Sequence, residues 1–157
     1  RSQAVSCGCR CSRGSIAVTP GEAGLLDTSV VIALPSLADP TVLPDEPIIS
    51  AVTLAELTIG PLVARTPAER ARRQAVLQQA EADFEPLPFD AAAARAFGTV
   101  AAALRSRGRK PTARAFDALI ASVALANGLP LYTANVADFA GIPGLRVEGV
   151  AIPSGAL

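Results

Sequence analysis

The stretch GLLDTSVVIAL, residues 24–34, decides the fold: a short apolar run ends at Asp27 and more apolar residues follow. An apolar run that stops at a capping signal predicts a buried strand followed by a helix, here beginning near Thr28. The same pattern recurs in PIISAVTLAELTIG, residues 47–60. Short strands that alternate with helices indicate βαβ units, which build a parallel sheet covered on both faces.

The alternation continues through the rest of the chain. Thr66 and Pro67 are typical of a helix start, and Asp90 is a candidate cap for another helix. A helix opens at Thr112 and a helical turn covers 136–139, and helices end at Gly60 and Pro61, at Gly108 and at Asn127-Gly128. Three further strands are predicted: a short third strand in EPLPFD (85–90), a fourth at 129–135 and a weak fifth at 145–150. The predicted fold class is α/β, with about five short strands in a mostly parallel sheet.

The length of 157 residues predicts one globular domain, over residues 23–157. Residues 1–22 show no hydrophobic periodicity and are predicted to be a disordered N-terminal extension. This extension contains all three cysteines: Cys7, Cys9 and Cys11. Their spacing differs from that of zinc sites, and the chain has no histidine, so we interpret this segment as a flexible leader, with a redox or metal-binding role as the alternative.

The overall charge excludes a global attraction to nucleic acid or anionic lipid. The chain has 14 basic and 14 acidic side chains, for a formal net charge of zero. A nucleic-acid partner would therefore need a local basic patch. No apolar run approaches the ~18 residues of a membrane span, and the pattern of a secretion signal is missing. We expect a cytoplasmic protein without membrane association.

Asp117 is the most unexpected charge in the sequence. It is the single charged residue of AFDALIASVALA, residues 115–126, which predicts a largely buried helix. Moving an isolated carboxylate into apolar surroundings costs several kcal/mol unless a partner compensates. Asp117 therefore needs a partner.

Other polar residues fall where parallel strands end. Asp27 follows the first strand, Glu56 lies one or two turns into the helix after the second, and Asn135 and Asp138 follow the fourth. Ligands of open α/β sheets bind outside the carboxyl ends of the strands, where the strand order reverses. We expect these side chains to gather there.

Each acid also has a purely structural interpretation. Asp27 could cap the helix that begins at Thr28, and Glu56 could form a capping box with Thr53. Asp138 could be a cap or a solvated side chain. Asp117 could interact with the positive end of its own helix dipole or pair with Arg114. If the acids converge, however, their mutual repulsion requires a cation. Oxygen donors without histidine or cysteine select Mg²⁺ or Mn²⁺, ions that support hydrolysis of phosphodiesters.

A basic segment, RSRGRKPTAR, covers residues 105–114 directly before the Asp117 helix. Its cations are Arg105, Arg107, Arg109, Lys110 and Arg114. They are candidates for contacts with a nucleic-acid backbone. The alternative is that they are solvated and stabilise a helix C-terminus.

Several segments in a fixed order resemble PIN-domain toxins of the VapC type. They are LLDTSVVIA, ISAVTLAELTIG, PLPFD, FDALIASVALANGLPLYTANVADF and IPGLRVEGV, which together extend from about residue 24 to 150. The resemblance implies a PIN-like α/β/α sandwich and a Mg²⁺- or Mn²⁺-dependent endoribonuclease, the toxin of a type II toxin–antitoxin pair. It implies a VapB-type antitoxin partner, an RNA substrate, a homodimer and a toxin–antitoxin hetero-oligomer.

The resemblance also assigns roles to residues. Asp27, Glu56 and Asp117 match the metal-binding acids of the family. Many relatives have an acid where this chain has Asn135, so we expect Asp138 to supply charge and Asn135 to bind the metal or its water.

Three alternatives differ in chemistry. A flap-type nuclease of the same fold would carry larger insertions and more acids. A phosphoacceptor signalling domain would need an acidic pair after strand 1 and a lysine after the last strand, whereas Lys110 precedes strand 4. In a non-catalytic binding module, all these acids would serve only as caps.

Overall fold

The computed structural model describes residues 23–106, 108 and 115–153. The predicted extension over 1–22, with its three cysteines, lies outside the described residues. The predicted cap Thr112 lies outside them as well.

A parallel sheet forms the centre of the domain. Its strands are β1 (Ala23–Leu26), β2 (Glu46–Ile48), β3 (Leu131–Thr133) and β4 (Val147–Gly149). Their order in the sheet is β2-β1-β3-β4, and each pair of neighbours is parallel. The prediction of an α/β fold around a parallel sheet is confirmed.

The described residues form four strands rather than about five, because EPLPFD does not become a strand. Leu87 makes an isolated bridge with Ser50. Its N–H donates to Ile49 O at 2.9 Å, and its carbonyl accepts from Ala51 N at 2.8 Å. The flanking Pro86 and Pro88 have no N–H to donate, so the ladder cannot extend past Leu87.

Helices cover the sheet. They are α1 (Thr28–Ala33), α2 (Ala51–Leu62), α3 (Pro67–Asp83), α4 (Ala91–Ser106), α5 (Ala115–Asn127) and α6 (Val136–Phe139), with short 3-10 turns at Leu34–Ser36 and Pro40–Val42. Within the described residues, no helix is both long and apolar enough to cross a membrane.

Helix ends largely follow the predicted signals. Thr66 Oγ accepts from Glu69 N at 3.1 Å at the start of α3, and Asp90 Oδ1 accepts from two N–H groups at the start of α4. Gly108 and Gly128 have positive φ angles of 73° and 66° just beyond α4 and α5, as helix C-termini favour. The predicted end of α2 at Gly60–Pro61 is slightly wrong: the helix runs to Leu62, because Val63 N still donates to Ile59 O at 3.2 Å and closes the last turn around the proline.

The core lies on both faces of the sheet because successive strand residues point to opposite sides. Leu25 and Leu131 pack into a cluster with α4, α5 and α6. Leu26 packs into a second cluster with α1, α2 and α3. Burial on both faces explains why the strands are continuous apolar runs without alternation.

Candidate active site

The reversal of strand order fixes the location of the candidate site. From β1 the chain crosses to β2 on one side, and β3 then pairs with β1 on the other. In the register of β1 and β3, Leu26 is opposite Tyr132, and Asp27 N donates to Tyr132 O at 2.9 Å. Asp27 therefore comes to lie beside Thr133 at the carboxyl ends of both strands.

Asp27 is a buried carboxylate with a specific set of donors. Only 5% of the surface of Asp27 is exposed to solvent. Its Oδ2 accepts hydrogen bonds from Ser29 Oγ at 2.6 Å and from Thr133 Oγ1 at 2.8 Å. Asp27 occupies the N-cap position of α1, but its side chain makes no capping hydrogen bond. The interpretation of Asp27 as a capping side chain is therefore wrong.

No basic side chain of the described residues forms an ion pair with Asp27. Among those residues, the one ion pair joins Arg73 Nη2 to Glu69 Oε1, at 2.5 Å. A buried carboxylate without a countercharge is costly even when hydroxyls donate to it. A bound cation would supply the missing charge.

Glu56 meets the residue that follows Asp27. Its Oε2 accepts from Thr28 Oγ1 at 2.6 Å, across 28 positions of sequence. The predicted capping box is wrong, because Ser50 is the N-cap of α2 and its Oγ accepts from Thr53 N at 3.0 Å. Since Ser50 satisfies this end of the helix, the Glu56 carboxylate can serve elsewhere.

Asn135 and Asp138 stand at the end of β3. Asn135 is exposed, its N–H donates to Thr133 Oγ1 at 3.0 Å, and its side chain makes no capping bond to α6. Asp138 is partly buried in the first turn of α6, where its N–H donates to Asn135 O at 2.9 Å. Thr133 thus joins this segment to Asp27.

Asp117 is partly buried in the first turn of α5. The helix packs against α2 and α6, which carry Glu56 and Asp138. The structure links Asp27 with Glu56 through Thr28, and Asp27 with Asn135 through Thr133. Over the residues it describes, no three acidic side chains form a group that could hold a metal ion.

The donor chemistry fits a hard divalent cation. Asp27 and Glu56 offer carboxylate oxygens, and the groups that bond to them are hydroxyls. Mg²⁺ is usually held by one or two carboxylates and keeps several waters, so two carboxylates are a sufficient number of protein ligands for it.

Sequence reasoning missed the hydroxyl groups of this site. Thr28, Ser29 and Thr133 donate to the acids, yet none of them was a predicted site residue. A local signal existed, since all three hydroxyl residues lie within three positions of a strand end. Their acceptors could not be assigned because two of the three bonds span long sequence separations.

The structure describes only part of the predicted basic segment. Arg105 is exposed in the last turn of α4. The other predicted nucleic-acid contacts, Arg107, Arg109, Lys110 and Arg114, lie outside the described residues.

Comparisons with known proteins agree with this architecture. The PIN domain family model matches residues 24–144. Ribonuclease VapC5 of Mycobacterium tuberculosis is 42% identical over 131 residues, covering 82% of this chain and 93% of that protein. The tRNA(fMet)-specific endonuclease VapC of Shigella flexneri is 37% identical over 100 residues, 64% of this chain and 72% of that protein.

A solved structure gives the same result. The crystal structure of VapBC-5, a member of the VapBC family of toxin–antitoxin systems from Mycobacterium tuberculosis, matches with a TM-score of 0.70 and 40% identity. The match covers 82% of this chain and 98% of the solved chain.

Proposed function

The chain belongs to the PIN domain family, in its VapC group, and we propose that it is an endoribonuclease that hydrolyses RNA phosphodiester bonds with Mg²⁺ or Mn²⁺. The observation that carries the proposal is Asp27, a buried carboxylate that caps no helix and pairs with no basic side chain of the described residues. Both curated relatives described above are named as RNA-cleaving enzymes. We place this activity in the cytoplasm.

In this proposal Asp27 and Glu56 would hold the ion, and Asp117, Asp138 and Asn135 would be further oxygen ligands. Such an ion would supply a water of lowered pKa and positive charge for the phosphate oxygens. Ser29 and Thr133 orient the Asp27 carboxylate through hydrogen bonds to Oδ2. These two hydroxyls leave the Oδ1 side of the carboxylate to the cation.

The basic segment would bind the substrate backbone. Arg105 is exposed at the end of α4, and α4 packs against α5, whose first turn contains Asp117. Together with Arg107, Arg109, Lys110 and Arg114, it would neutralise phosphates of a single-stranded or looped RNA. Such contacts depend strongly on salt concentration.

A VapB-type antitoxin is the proposed protein partner. The solved VapBC-5 structure is of a member of the VapBC family of toxin–antitoxin systems, and its matching chain is 40% identical over 82% of this chain. We propose that this chain likewise forms a homodimer and a hetero-oligomer with its antitoxin. Coexpression with a VapB-type antitoxin should yield a copurifying complex and block RNA cleavage.

The decisive test of the enzymatic function combines Asp27→Asn with Glu56→Gln. Both changes remove charge and keep an acceptor oxygen and the side-chain size, so we expect a folded protein. RNA cleavage with Mg²⁺ or Mn²⁺ should fall to the level seen with a chelator. Asp83→Asn, on the exposed end of α3, is the matched control and should cleave normally. A folded double variant with wild-type cleavage would overturn the proposal.

A further inference from the structure

We propose that Thr28 is a positioning residue for Glu56, an inference that rests on the proposed metal-dependent hydrolysis. Thr28 Oγ1 donates to Glu56 Oε2 at 2.6 Å. This length is typical of a hydroxyl that donates to a charged carboxylate, a class of hydrogen bond about twice as strong as a neutral one. The bond joins the first residue of α1 to the second turn of α2.

Glu56 needs such a partner because a glutamate side chain has many rotamers, and fixing one costs free energy. The helix to which it belongs does not use its carboxylate, since Ser50 caps α2. The hydrogen bond to Thr28 Oγ1 holds the Glu56 carboxylate beside Thr28, which is the next residue after Asp27. The hydrogen bond thus joins Glu56 to the segment that contains Asp27, and in our proposal one cation binds both carboxylates.

Thr28 itself is well fixed. It is 6% exposed, and β-branching restricts its χ1 rotamers. Its backbone begins α1 immediately after the buried end of β1. The hydroxyl is therefore held by the core and can transmit that rigidity to Glu56, as outer hydrogen bonds do for metal ligands in general.

Thr28→Val tests this role because it keeps the shape of the side chain and removes the donor. The full chain is titrated with Mn²⁺ alone by calorimetry, and RNA cleavage gives kcat and KM. We expect a rise of about tenfold or more in the Kd for Mn²⁺ and a similar drop in kcat, with the KM for RNA unchanged. Thr28→Ser retains the donor and should restore both values.

Thr53→Val is the matched control for a buried threonine. Thr53 is fully buried, and its Oγ1 lies 3.0 Å from Ser50 Oγ, without a carboxylate partner among the residues that the structure describes. This variant should lose stability and keep the Mn²⁺ affinity. If Thr28→Val only lowered stability as well, Thr28 would be merely structural and the proposal would be overturned.

A double-mutant cycle separates the two proposals. With Glu56→Gln present, adding Thr28→Val should change the Mn²⁺ affinity by less than about twofold, since residues that act as a unit are not additive. If Glu56→Gln weakens Mn²⁺ binding but Thr28→Val does not, the positioning role is wrong and the proposed function stands. If Glu56→Gln changes neither binding nor cleavage, the positioning role of Thr28 and the assignment of Glu56 as a metal ligand are both wrong.

A second pair of variants covers poor folding of Thr28→Val. Thr28→Ala and Thr28→Ser both lose the methyl group, but only serine keeps the hydroxyl. Wild-type Mn²⁺ affinity in the serine variant and weak binding in the alanine variant support positioning. Equal affinities in the two overturn it.

Discussion

Thr133 Oγ1 donates to Asp27 Oδ2 at 2.8 Å, although 106 positions separate the two residues in the chain. The parallel pairing of β1 with β3 produces this contact, because Leu26 is in register with Tyr132. The same hydroxyl accepts from Asn135 N at 3.0 Å. One buried side chain thus joins the end of β1 to the residue that precedes α6.

Thr133→Val should destabilise the fold and disturb Asp27. The change removes a donor from a buried carboxylate and an acceptor from Asn135 N–H, and leaving such a group unsatisfied costs about 1–3 kcal/mol. Urea unfolding should show a lower midpoint with an unchanged slope. Thr133→Ser keeps the hydroxyl and should lose much less. A valine variant as stable as the serine variant would contradict the role assigned to this hydrogen bond.

Mn²⁺ should raise the melting temperature through Asp27. A ligand that binds one site of the folded state only, at a free concentration of 100 times its Kd, raises the free energy of unfolding by about 2.7 kcal/mol. Asp27→Asn should remove most of this Mn²⁺-dependent shift, as followed by calorimetry. Asp83→Asn, on the exposed face of α3, should keep it.

The same variant makes a separate prediction in a chelator. Asp27→Asn should then be at least as stable as the wild type, because an amide oxygen still accepts from the Ser29 and Thr133 hydroxyls and the buried charge is gone. A strong loss of stability in chelator would instead indicate that the Asp27 carboxylate has a structural role.

Tyr132 should titrate above its ordinary pKa. Burial raises the pKa of its phenol above the usual 10.0, and the negative charge of Glu148, its register partner on β4, raises it further, while Arg146 lowers it. Tyr132 is the single tyrosine of a chain without tryptophan, so tyrosinate absorbance reports it alone. Glu148→Gln should lower the midpoint and Arg146→Gln should raise it.

This pKa shift also has a sign for stability. Because the folded-state pKa is the higher one, the contribution of the neutral phenol to the free energy of unfolding is complete below pH 10 and is lost as the pH rises through the folded pKa. Unfolding at increasing pH should therefore become easier above pH 10. Tyr132→Phe should show a weaker dependence in that range.

Gly24→Ala should overpack the sheet. A Cβ at Gly24 would meet the Tyr132 ring, with Cδ2 at 2.7 Å, and also Pro44 Cβ at 3.1 Å. Overpacking of a core typically costs about 1–3 kcal/mol, which thermal unfolding would detect. Gly98→Ala is the control, since a Cβ there meets nothing within 4 Å in α4. That change should stabilise the protein by about 0.5–1 kcal/mol.

The contrast between local and long-range features explains how far sequence reasoning reached. The caps Thr66 and Asp90 were predicted because a capping oxygen and the N–H groups that donate to it lie within three positions of each other. The prediction of an extra strand at EPLPFD was wrong because a strand needs hydrogen bonds to a neighbouring strand. The two prolines limit that pairing to a single bridge at Leu87. The sequence alone could not decide whether Asp27 and Glu56 cap helices, because that decision depends on which groups hydrogen-bond to their side chains.

The sequence by itself determined the alternation of buried strands and helices, the parallel sheet that follows from it, and the candidate acids after the strands. Periodicity and capping are local, so residues a few positions apart suffice to encode them. Only the tertiary structure decided that Asp27 accepts from Thr133 and Glu56 from Thr28. Those bonds depend on strand order, register and helix packing, which bring together donors and acceptors that no local pattern can pair.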